Sequence, residues 1–240
     1  MHIAAIRTDE VALATIARIF THDYGFPPID ASVVLLPDRE ALEAELVADG
    51  YEPAFARDAA ERMRAIALHR RVLVNRQELS SSWPARIGTF AHELAHCLQY
   101  DLGGGRRGTS EQWLREGFAE WVALDVLRRI GAVAPGAARR YLLDELAASS
   151  RRDAPRLDDM MTFRQWVALA GRTDIVPPVQ AVLLVERLVD RHGLAALVDY
   201  FALFATREDP EGNFVRAFGE TRADFERAAR AALGLGADSR

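Results

Sequence analysis

The stretch "FAHELAHCLQYDLGG", Phe90 to Gly104, decides how the chain is read. It carries His92 and His96 four residues apart, with Glu93 directly after the first. On an α-helix such residues lie one turn apart on the same face, so the two imidazoles can converge on one point. Zn²⁺ suits that point, because it takes imidazole nitrogen at roughly 2.0–2.1 Å in tetrahedral geometry. Glu93 is placed to reach a water on the ion without ligating it, the H-E-x-x-H arrangement. Ile87, Phe90, Leu94 and Leu98 form an apolar stripe on another side, which leaves the histidines off the core stripe, where a cleft is expected. The spacing predicts a helix from about Trp83 to Leu102, stopped by the glycines at 103–105. Cys97 is the single cysteine, so no intrachain disulfide forms. On the helix it points about 100° away from His96, which favours a small buried side chain over a thiolate ligand.

A catalytic zinc normally has three protein ligands and one open position, so a third ligand is needed. The next helical pattern, "EQWLREGFAEWVALD", carries Glu116 and Glu120 four residues apart, opposite an apolar face with Leu114, Phe118 and Val122. Taken alone, that helix reads as a solvated acidic face. Following an H-E-x-x-H helix and a glycine-rich reversal, two antiparallel helices would bring Glu116 opposite both histidines. Glu120, one turn on, would accept the N–H of a liganding ring and fix its tautomer.

The remaining chain bounds the setting. Its 240 residues fit one large domain or two lobes sharing a core, and a net charge of −5 gives no reason to expect nucleic acid or an anionic membrane as partner. All 30 basic residues are arginine, several in pairs such as Arg151-Arg152, which read as solvated faces; Arg106-Arg107 is a partial exception because it lies between the two motifs. "MHIAAIRTDE" shows no secretory signal and no run approaches a membrane span, so a cytoplasmic protein is expected. Upstream of the motif, Thr8 starts a helix ending near Tyr24-Gly25, "ASVVLLP" predicts a buried strand, and "DREALEAELVADG" a helix closed by Gly50. A short helix follows near 53–61, then "RAIALHR" and "RVLVNR" as adjacent antiparallel strands. Beyond Ser82 almost only helices are expected, with Thr162 and Gln165 as a capping box, prolines opening the helix that ends at Gly193, and Thr221 and Gly234 bounding the last. Asp209-Pro210-Glu211-Gly212 reads as a turn, and 103–110 as the one loose joint.

"HELAH" followed by "WLREGFAEW" resembles the gluzincin branch of the zinc peptidases, most of all the compact bacterial peptidase MA-like domains. The specific match covers about thirty residues; the flanking segments are similar in order and character only. The resemblance implies His92, His96 and Glu116 as ligands of one Zn²⁺ per chain and Glu93 as the catalytic acid–base. It implies an α+β, zincin-like fold with a small mixed N-terminal sheet and the motif helix over 1–102. A helical lobe carrying the third ligand, 103–240, would close the other side of the cleft. It also implies a peptide or protein substrate laid along an exposed sheet edge, here Ala65, Ile66, Ala67, Leu68 and His69. Aminopeptidase-type relatives carry a glutamate on that edge, and "RAIALHRR" has none, which points to an endopeptidase. Relatives often supply a tyrosine or histidine to the oxyanion; the corresponding segment here is Val176-Pro177-Pro178, leaving Tyr141, Tyr200, His192 or an arginine as substitutes. Without such a donor the alternative is a weak or inactive zinc-binding scaffold that recognises a protein partner through the same cleft, and a helical protein with no metal is the third possibility. Oligomeric state stays open.

Overall fold

The computed structural model describes residues 2–106, 109–149 and 153–236, leaving Arg107 and Gly108 of the expected joint and the Arg151-Arg152 pair outside the described residues. The first helix, α1 (Asp9–Arg18), starts where the Thr8 hydroxyl accepts the Val11 N–H, and continues as a π-helical turn, Ile19–Asp23, up to Tyr24. Strand β1 (Ser32–Leu36) follows, then α2 (Arg39–Ala48), capped by Asp38, and α3 (Pro53–Arg62). Strands β2 (Ala65–Leu68) and β3 (Arg71–Asn75) form the expected antiparallel pair, reversing through His69 and Arg70; Arg70 takes a left-handed φ of 61°.

β1 joins this pair in parallel, in register Val34 with Leu73, giving the order β1-β3-β2. A parallel neighbour needs a long crossover, and α2 and α3 supply it. The strand expected to be buried is instead half-buried at Val33, Val34 and Leu35, because β1 forms one edge of the sheet. β2 forms the other edge. Alternation sorts the strands' side chains: Ala65, Ala67, Val72 and Val74 belong to the main core, while Ile66, Leu68 and Leu73 pack with Leu42, Leu46 and Ala60 of the crossover helices.

The motif helix α4 spans Trp83–Leu102 with Pro84 in its first turn and Gly103 at its end. It is followed by α5 (Gln112–Arg129), α6 (Ala137–Ala148), α7 (Phe163–Ala170), α8 (Pro177–His192), α9 (Leu194–Leu203), α10 (Pro210–Phe218) and α11 (Arg222–Leu233). The Thr162–Gln165 capping box opens α7. The expected turn at Asp209-Pro210-Glu211-Gly212 is instead the start of α10: the Asp209 carboxylate accepts the Gly212 N–H at 2.9 Å, and proline in the first turn needs no N–H partner. Turn and helix start use the same residue types, and the apolar Phe214 and Phe218 that follow settle which one forms.

The chain is therefore α+β and mostly helical, and no helix among the described residues is long and apolar enough to cross a membrane. Its main core draws on the sheet, α1, α4, α5 and the later helices together, with Trp113, Phe90, Phe118 and Tyr200 fully buried. α5 lies at the centre. Gly117 lets it approach α8 closely: a Cβ there would stand 2.5 Å from the Ala181 carbonyl oxygen.

Candidate metal centre

α4 and α5 pack side by side in opposite directions. Gly88 faces Leu127, His92 faces Glu120, His96 faces Glu116 and Gln99 meets Arg115, so rising numbers on one helix meet falling numbers on the other. This places two imidazoles and one carboxylate on the floor of a cleft of about 650 Å³. The His92 and His96 Nε2 atoms are 3.2 Å apart, and Glu116 oxygens lie 3.6 Å from the first and 3.7 Å from the second. A tetrahedral ion with bonds of roughly 2.0–2.1 Å has ligand–ligand edges of about 3.3–3.4 Å. His92, His96 and Glu116 can thus hold a metal ion.

The tautomers agree with this. His92 Nδ1 lies 3.2 Å from Glu120 Oε2, and a carboxylate only accepts, so Nδ1 carries the proton. His96 Nδ1 lies 2.9 Å from Gln99 Oε1, while the Gln99 Nε2 donates to the Arg115 carbonyl at 3.0 Å; that carbonyl fixes the amide's orientation and with it the His96 proton. Both rings therefore aim Nε2 at one another, an arrangement that holds either a proton shared between them or a metal ion. Glu116 is itself held by the Gln112 amide at 2.7 Å, and Arg115 in turn donates to Gln112 at 2.6 Å.

The electrostatics point the same way. Burial pulls the His92 pKa down, but hydrogen bonds to Glu116 and Glu120 and the charges of Glu93 and Glu116 outweigh it, and the ring holds a proton well above the usual histidine range. Burial pushes the Glu116 carboxyl up, and the His96 charge with hydrogen bonds from both rings overrides it, holding the carboxyl well below its ordinary value. Such a pocket favours cations. Glu93 lines the cleft half-buried and makes no hydrogen bond or ion pair with any described residue, in contrast to Glu116 and Glu120.

Of the expected edge, Ala65, Ile66 and Ala67 line the cleft, whereas Leu68 and His69 do not. Leu68 packs toward α2 and α3, and His69 lies in the reversal with its Nε2 3.1 Å from Asp101 at the end of α4. The Arg64 carbonyl accepts the Asn75 N–H, so Arg64, Ile66 and Leu68 turn their backbone groups toward β3 and Ala65 and Ala67 turn theirs to the open edge. Cys97 is buried on the sheet side of α4 with its thiol 3.5 Å from the Leu68 carbonyl, and burial pushes its pKa up to about 12.

None of the three aromatic candidates for the oxyanion reaches the cleft. Tyr200 is buried and donates to Glu111, His192 pairs with Glu220 at 3.1 Å, and Tyr141 is 62% exposed on α6. Of the arginines, Arg62 and Arg64 line the cleft. Gln99 and Gln112 were not anticipated from the sequence; their signal was spacing, three residues after His96 and four before Glu116. Across the cleft Phe55 of α3 meets Phe163 of α7, ring centres 6.3 Å apart. Comparison with known proteins adds no relative: no family model, no curated protein and no solved structure matches the chain.

Proposed function

We propose that the chain is a zinc-dependent peptidase with a zincin-like arrangement, using one Zn²⁺ held by His92, His96 and Glu116. The observation that carries this reading is the convergence of those three ligand atoms beside a cleft-lining carboxylate, Glu93, that makes no hydrogen bond or ion pair with any described residue. A bound zinc would supply Lewis-acid polarisation of a carbonyl and a lowered pKa for a coordinated water. Glu93 then takes the proton of the attacking water and passes it to the leaving amine. Glu120 and Gln99 keep the imidazoles oriented, and Gln112 steadies Glu116. The free backbone groups of Ala65 and Ala67 offer an extended peptide a strand to pair with.

An endopeptidase fits better than an aminopeptidase. The cleft-lining carboxylates among the described residues are Glu93, Glu116 and Glu120. Two are committed to the imidazoles, so none beyond the proposed base remains to hold a substrate's free amine. A second reading, a zinc-binding scaffold with weak or no turnover, is favoured by the lack of a tyrosine among the described cleft residues. The deciding experiment is cleavage of a mixed peptide library by zinc-loaded parent and Glu93→Gln, with and without chelator. The peptidase reading expects cleavage lost in chelator and reduced about 10²–10⁴-fold in Glu93→Gln with zinc retained. Zinc-loaded parent that cleaves nothing leaves the scaffold reading in its place.

A further inference from the structure

Gly88 sits inside α4, one turn before His92, and lines the cleft. Glycine in a helix interior is destabilising relative to alanine, so its presence calls for a cause. Backbone conformation is not the cause, because Gly88 is not among the glycines with positive φ. Packing is not the cause either. A Cβ at Gly88 would meet only Leu127 Cδ1 at 3.5 Å, an ordinary contact, whereas one at Gly117 would strike the Ala181 carbonyl at 2.5 Å. Gly117 is glycine because a helix crosses it; Gly88 is glycine where the molecule itself leaves room.

We propose that Gly88 forms the floor of a subsite that accepts an apolar side chain of the peptide, next to the bond to be cut. This rests on the peptidase reading above. Its walls are Pro84 and Ala85 from α4 and Ala123, Leu124 and Leu127 from α5, all without charge. One helical turn is about 5.4 Å, so a residue adjacent to a carbonyl at the three ligand atoms reaches Gly88. The nearest charge on the α5 side, Glu120, is held by His92. A side chain on residue 88 would fill the trough from below, which makes this position a determinant of specificity.

The test compares zinc-loaded parent, Gly88→Ala and Gly88→Leu on peptides that vary the residues flanking the cleaved bond, together with thermal melting. Gly88→Ala is expected to melt about 2–4 °C above the parent. Gly88→Leu is expected to lose about 10–100-fold more kcat/KM on peptides with Leu or Phe in the subsite than on those with Ala. Gly88→Ala should show the same trend more weakly, which keeps the proposal testable if the leucine variant fails to fold. The subsite is overturned if Gly88→Ala melts below the parent, or if the variants keep the parental preference or lose activity equally on every peptide. A parent that carries zinc and cleaves nothing overturns the peptidase reading, and the subsite with it.

Discussion

Replacing Gln99 with leucine isolates the least conspicuous part of the candidate metal centre. The Gln99 amide spans two buried groups: its oxygen lies 2.9 Å from His96 Nδ1 and its nitrogen donates to the Arg115 carbonyl at 3.0 Å. Leucine has similar bulk and keeps the packing, but it leaves a ring N–H and a backbone carbonyl without partners. Each such group costs about 1–3 kcal/mol, so the metal-free chain should lose roughly 2–6 kcal/mol. For a chain of this size that corresponds to a melting point lower by about 4–24 °C. A second effect is separable from the first. His96 loses the group that orients it and fixes its tautomer, and zinc affinity should fall about 10–100-fold. In excess zinc this removes about 1.4–2.7 kcal/mol from the stabilisation that metal gives the parent. Scanning calorimetry with and without zinc, beside a competition titration with a chromophoric chelator, reads both. A variant that melts with the parent and binds zinc as tightly would show that Gln99 does not position His96, and the tautomer argument would fail.

Three further outcomes follow from the same packing. Burial pushes the Glu111 carboxyl up to about 7, from an ordinary 4.5, despite its backbone hydrogen bond and the Arg222 guanidinium. Between those values the folded chain holds the proton that the unfolded chain releases. The contribution of Glu111 to stability is therefore fullest below about 4.5 and is lost, by about 3 kcal/mol, as pH rises through about 7; Glu111→Gln should flatten that part of a denaturation-against-pH profile. Gly117→Ala places a methyl 2.5 Å from the Ala181 oxygen and 2.8 Å from Val185 Cγ2, and chemical denaturation should show a loss of about 1–3 kcal/mol, opposite in sign to Gly88→Ala. Asp209→Ala removes the cap of α10 and should cost about 1 kcal/mol in the same assay, whereas a mere turn would tolerate it.

What could be read from the sequence divides along physical lines. The bounds of α4 and α11 were legible because proline, threonine and glycine mark them, and the β2–β3 hairpin because two short apolar runs meet at a polar reversal. α6 and α9 were not anticipated. α6 follows Gly136 with no side-chain cap, and α9 starts at once after Gly193, which ends α8, so no polar break separates them. The convergence of His92, His96 and Glu116 was legible because helical spacing turns sequence separation into a face. The roles of Gln99 and Gln112 were not, since an amide on a helix shows its partner only once the neighbouring helix is in place. Leu68 and His69 were assigned to the cleft because a strand's end cannot be read from its apolar run; the reversal begins one residue too early for His69, and Leu68, the last residue of β2, packs with the crossover helices beyond the cleft's end.

The most direct test is metal content. Elemental analysis of chain purified without chelator, and again after zinc loading and exhaustive dialysis, should give one zinc per chain, abolished in Glu116→Ala and retained in Glu93→Gln. No stoichiometric zinc in the parent, or zinc that survives replacement of Glu116 at full occupancy and affinity, would contradict the account.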